Sequence, residues 1–233
     1  MTALGPVDYA IWLAVFLVEI ASLVCLLKGK AFLQHFTIFL YLCSSLAVGI
    51  GRYSIIKTSG FDSNAYLYFY YYSDALLTIC LYFILMSLYA HVFSDMGVSK
   101  YMRGGAMLLL AGTSAITYHM VAASTDRFVT HFVIELAQNL YFVGVLLTYL
   151  LWGAMVKLRE NRTRLMHLVL SMGVYMSLFA GSYALGNLYS NLFVWRYFFP
   201  LIAMWLPVSW SYTFLKVPED ARIVTARVLV PNR

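Results

Sequence analysis

The sequence predicts an all-α, polytopic membrane protein, a bundle of seven transmembrane helices. Three observations carry that expectation. Seven apolar runs reach the roughly 20 residues that an α-helix needs to cross a bilayer core. Only 11% of the 233 residues are charged, against about 25% in soluble domains, too few to cover a water-facing surface. The basic residues also gather in alternate loops, as they do in membrane proteins of fixed orientation.

The seven helices are expected at 8–27, 31–51, 66–93, 101–123, 128–153, 165–186 and 194–215. They form one domain over 1–216, followed by a short basic tail over 217–233. In the first, no Lys or Arg precedes the apolar run of MTALGPVDYAIWL, so it reads as a retained helix and not as a cleaved signal. Glu19 sits about 16 Å from its outer end at 1.5 Å per residue, with Ser22 one turn on. Its expected role is a structural hydrogen bond, or the continuation of a polar path inward from Asp74.

The second helix starts beside His35 and continues through Ser44, Ser45 and Gly49, small residues that let helices approach closely. Residues 52–65, RYSIIKTSGFDSNA, read as the longest outer loop, able to fold over the bundle, with Arg52 at the rim. The third helix is the one the chain is organised around. Asp74 lies well inside its apolar run, where a carboxylate is costly and is normally paired, cavity-lining or functional. Tyr70, Asp74, Thr78 and Tyr82 recur every four residues, a polar stripe on one helical face.

The fourth helix holds Gly104, Gly105 and Gly112 and ends near His119. The fifth carries a second polar stripe, His131, Glu135, Gln138 and Phe142, with Asn139 beside it. Gly173, Ser177 and Gly181 give the sixth a small-residue face. In the seventh, Pro200 and Pro207 free backbone carbonyls that neighbours must satisfy, and a kink is expected.

Orientation follows from the basic residues. Lys28, Lys30, Lys100, Arg103, Lys157, Arg159, Arg162, Arg164, Lys216, Arg222, Arg227 and Arg233 fall on one side, and only Arg52, Lys57, Arg127 and Arg196 on the other. The N-terminus is therefore expected outside and the C-terminus in the cytoplasm, in a plasma (inner) membrane. The net charge of +6 is a matter of topology and does not point to nucleic acid. Arginines in the tail suit anionic headgroups. Cys25, Cys43 and Cys80 lie in apolar segments without paired spacing, which favours small buried hydrophobes over disulfides or a thiolate metal site.

Depth sorts the ionisable groups into layers. Asp74 and Glu135 lie about 12 and 10 Å below the outer ends of their helices, with His131 and His119 shallower and Arg52 and Arg196 at the rim. An outer pocket is expected there, with Asp74, Glu135, His131, His119, Arg52, Tyr70, Thr78 and Gln138 as its ligand-binding residues. A small molecule or ion would be sensed or carried, without catalysis. The purely architectural alternative pairs these groups with one another, for example Asp74 with Arg52.

Other readings stay open. Any metal would be held by His131, Glu135, Asp74 and His119, the basis of an intramembrane hydrolase. Haem would use His119 with His131 and His35 with His167, two layers of imidazoles. The chain could also be an accessory subunit of a larger complex, or a homo-oligomer, with haem or pigment. Tyr72-x-Asp74-x-Leu76-x-Thr78 resembles the third-helix counterion segment of microbial rhodopsins over fewer than ten residues. That family implies a retinal-bearing lysine midway along the seventh helix. Here the helix has only Lys216, at its end, so covalent retinal is excluded.

Overall fold

In the computed structural model the described residues are 5–29, 31–60, 63–94, 99–121, 128–158, 162–188 and 195–218. Among them the chain forms α1 (Pro6–Lys28), α2 (Phe36–Ser59), α3 (Asn64–Val92), α4 (Ser99–Val121), α5 (Phe128–Lys157), α6 (Thr163–Leu188) and α7 (Trp195–Lys216). Most of the tail, Lys30, Arg127 and Arg159 fall outside the described residues, as do the side chains of Lys100, Arg103 and Arg196.

Among the described residues six helices, α1, α2, α3, α5, α6 and α7, are long and apolar enough to cross a membrane. The fourth differs in composition: Lys100 and Arg103 stand in its first turns, and Gly104, Gly105, Gly112, Thr113, Ser114 and Thr117 dilute its apolar content.

Local chemistry sets the helix ends. The Asp8 carboxylate accepts from the Gly5 N–H at 2.8 Å, tying down the start of α1. The Ser63 hydroxyl caps α3 by accepting from the Tyr66 N–H at 3.1 Å, one of the orphan donors of a first turn. The second helix corrects the sequence reading. It begins at Phe36 and runs to Ser59, so Arg52 and Lys57 are helical and the expected outer loop shrinks to the residues around Gly60. Nothing in RYSIIKTS breaks a helix. The stop comes at Gly60, whose φ of 85° suits a residue without a Cβ.

Six helices close a ring in the order α1, α2, α3, α5, α6, α7 and back to α1. The fourth packs outside it, on α3 and α5, and α3 also reaches across to α6. Contacts define two ends: α1, α3, α5 and α7 begin at the upper end, and α2, α4 and α6 begin at the lower. The main core lies within the ring, where Leu26, Leu42, Leu85, Leu168, Leu206 and Trp210 are fully or almost fully buried.

Between helices in lipid there is little hydrophobic gain, so close packing and interhelical hydrogen bonds hold the bundle together. Gly51 lies directly under Phe69, and a Cβ there would fall 2.7 Å from the ring. Gly173 lies likewise against Thr148, at 2.9 Å. The Tyr89 hydroxyl donates to the Leu147 carbonyl at 2.5 Å, and Trp205 Nε1 to the Ser171 carbonyl at 3.2 Å. At the lower end Arg162 donates to the His91 carbonyl at 2.9 Å and Arg164 to the Val217 carbonyl at 3.0 Å. Both guanidiniums sit at helix C-termini, where unpaired carbonyls and the helix dipole favour a cation.

Candidate functional site

Asp74 points from α3 into the upper half of the ring, about 15 Å along the helix from Asn64 at 1.5 Å per residue. It is half-buried, with its free surface on a cavity of about 220 Å³. Tyr70 and Tyr71 of α3, Ile134 and Ala137 of α5, Tyr183 of α6 and Phe199 of α7 complete the lining. Among the described residues the one side-chain hydrogen bond to the carboxylate comes from the Tyr183 hydroxyl, at 3.2 Å.

Arg52 stands beside this cavity without pairing directly with Asp74. Its Nη2 donates to the Ser73 hydroxyl at 2.9 Å and to the Tyr70 carbonyl at 3.3 Å, and its Nε donates to Ser73 at 3.2 Å. The guanidinium also lies 4.4 Å from the centre of the Tyr70 ring, a cation–π distance. These contacts fix the arginine about 10 Å below the end of α2 at 1.5 Å per residue, deeper than the rim position expected from sequence. It is within electrostatic reach of Asp74 and of Glu19.

Glu19 is buried and accepts from the Ser45 hydroxyl at 2.5 Å, joining α1 to α2 as a structural hydrogen bond would. Between Glu19 and Asp74 stand several tyrosines. Tyr41, Tyr175 and Tyr141 lie within electrostatic reach of one another, with the Tyr141 and Tyr175 ring centroids 6.4 Å apart. The Thr78 hydroxyl donates to the backbone carbonyl of Asp74 at 2.8 Å, which is the back-bonding geometry of a helical threonine.

The residues of the expected outer layer divide into two groups. Asp74, Arg52, Tyr70 and Thr78 come together. On α5, the pocket is lined by Ile134 and Ala137, while Val133 and Ala137 pack on Ala75 and Leu136 and Leu140 on Tyr82. That rotation turns His131 and Glu135 away. They pair along their own helix at 3.8 Å, with side chains 50% and 34% exposed. His119 is exposed on α4, and Gln138 is half-buried. Asn139 donates to the Thr117 hydroxyl at 3.0 Å and so pins α4 to α5.

No group of three or more His, Cys, Asp or Glu side chains able to hold a metal exists among the described residues, so His131, Glu135, Asp74 and His119 do not assemble into the ligand set considered from sequence. The inner imidazoles pair differently from the haem arrangement as well. His35 meets His91, with ring centroids 5.5 Å apart, and Phe214 at 5.8 Å, while His167 lies beside Tyr212. Lys28, Lys157 and Lys216 are the final residues of α1, α5 and α7, far from the cavity in depth.

Sequence reasoning missed Tyr41, Tyr141, Tyr175, Tyr183 and Phe199. The chain has 19 tyrosines, and nothing in their spacing separates these from the rest. Fold and site together define an all-helical bundle with membrane-length helices and a carboxylate-bearing aromatic cavity. Comparison with family models, curated proteins and solved structures returns no match.

Proposed function

We propose that this chain is a seven-span integral membrane protein, N-terminus outside, whose Asp74 cavity binds a small organic cation entering from the extracytoplasmic side. Sensing or carriage of that cation is its function, without covalent chemistry. The orientation rests on the basic residues: Lys28, Lys157, Arg162, Arg164 and Lys216 cluster at the lower end, which the positive-inside rule assigns to the cytoplasm.

The observation that carries the reading is the contrast between Asp74 and its surroundings. A carboxylate faces a cavity whose other lining side chains are aromatic or aliphatic. The nearby arginine is committed to Ser73 and Tyr70. A carboxylate among several aromatic rings is the combination that recognises alkylammonium ions, through charge and ring quadrupole together. An anion would meet the carboxylate, and a neutral apolar molecule would leave it unpaired.

Full-length protein in nanodiscs, titrated with tetramethylammonium chloride and followed by intrinsic fluorescence, is expected to bind saturably, with sodium chloride as the control. Asp74→Asn is expected to weaken binding at least about tenfold, the effect of losing roughly 1.4 kcal/mol. Equal binding by the variant, or no saturable response in the unaltered protein, would overturn the reading.

A further inference from the structure

Among the described residues three acidic or basic side chains stand in the interior of the ring, away from both ends: Glu19 on α1, Arg52 on α2 and Asp74 on α3. Ionised, they sum to one negative charge. The membrane interior penalises uncompensated charge by several kcal/mol, so the set is one positive charge short. The two carboxyls also share their cation, because Arg52 lies within electrostatic reach of each.

Hydroxyl groups stand around the same two acids. The Ser45 hydroxyl donates to Glu19 at 2.5 Å and the Tyr183 hydroxyl to Asp74 at 3.2 Å, and Tyr41 lies within electrostatic reach of both acids. The titratable groups facing the pair are Arg52 and Tyr41 from α2, Tyr70 and Tyr71 from α3, Tyr141 from α5, and Tyr175 and Tyr183 from α6. On α4, His119 is exposed, and α7 brings Phe199.

Building on the cation reading above, we propose that Glu19, Arg52 and Asp74 act as one unit that holds a single exchangeable proton when the cavity is empty and releases it when a cation enters. The O–H bond of one carboxylic acid breaks, its electron pair stays on the carboxylate, and the proton leaves for upper-side water through the cavity. The incoming cation supplies the missing charge. Binding is thus an exchange of one cation for one proton, and Glu19, remote from the cavity lining, is a positioning and charge-balancing group for it.

Calorimetric titration of the nanodisc-embedded protein with tetramethylammonium chloride separates the two claims, because this ion carries no proton of its own. Heat of binding reports whether a cation is taken up. The change in that heat between buffers of different ionisation enthalpy counts protons. About one proton released per cation is expected, with affinity rising about tenfold per pH unit by linkage. In Glu19→Gln, whatever its affinity, proton release is expected to fall close to zero. Binding heat independent of buffer would sink the proton linkage and leave the cation site standing, and absence of any binding heat would overturn both. Should Glu19→Gln fail to fold, the buffer series and pH dependence of the unaltered protein decide the question alone.

Discussion

The Tyr183 hydroxyl of α6 donates to the Asp74 carboxylate of α3 at 3.2 Å, across the middle of a ring in which those helices are not sequential neighbours. This bond joins the two sides of the cavity, so its loss tests the architecture and the site together.

Tyr183→Phe keeps the ring packed beside Phe199 (5.4 Å between centroids) and removes only the hydroxyl. A neutral interhelical hydrogen bond in a membrane averages about 0.6 kcal/mol, and one to a charged acceptor reaches about 1.5–3 kcal/mol. A loss of about 1 kcal/mol in detergent unfolding is expected, with weaker tetramethylammonium binding. An unfolding midpoint equal to that of the unaltered protein would contradict the contact.

Arg52→Lys retains a charge but not the planar fork that spans Ser73 and the Tyr70 carbonyl. Lysine is a poor substitute at a bidentate, ring-stacked position. A loss of roughly 1–2 kcal/mol is expected. Arg52→Met should cost more, because both carboxyls lose their shared cation. Adding Asp74→Asn to Arg52→Met should recover part of that cost, and a double-variant cycle measures the coupling.

Gly51→Val would force a branched side chain into Phe69, since even a Cβ would fall 2.7 Å from that ring. Overpacking of this kind costs about 1–3 kcal/mol. Phe69→Leu in the same chain should restore part of the stability. Thermal aggregation midpoints in detergent read both, and an undisturbed Gly51→Val variant would argue against the α2–α3 approach.

His35, in the turn before α2, is buried beside His91 and Phe214. Burial first, then the neighbouring His91 and Arg164, lower its pKa from 6.5 to about 4. A depressed pKa means that the unfolded chain takes up the proton first as acid is added. The neutral form's contribution is therefore complete above pH 6.5 and is lost as pH falls through about 4, a span worth on the order of 3 kcal/mol. Unfolding between pH 7 and 4 should show this slope, and His35→Phe should flatten it.

Several features were legible from residue order because each depends on local chemistry. Membrane-length helices follow from runs of apolar residues, and Asp74 announces itself because a carboxylate in such a run is costly wherever the helix turns. Gly60 as a stop could have been read as well, yet Arg52 and Lys57 suggested a loop. Their charges suit water, and only Ser73 and the Tyr70 ring and carbonyl explain how the Arg52 guanidinium is accommodated within the bundle instead.

Glu135 marks the boundary of what residue order can tell. Its depth matches that of Asp74, and depth is a property of the sequence. Its azimuth is not, because rotation of α5 is set by how Val133, Leu136, Ala137 and Leu140 pack on α3, and that packing leaves Glu135 and His131 facing outward. The sequence by itself determined the helical class and the approximate course of the helices, and it singled out Asp74 as an acid within an apolar run, since hydropathy and desolvation act residue by residue. Which tyrosines of 19 gather around Asp74, and where Arg52 rests beside it, only the tertiary structure decided: those are contacts between helices distant in the chain, and no local periodicity encodes them.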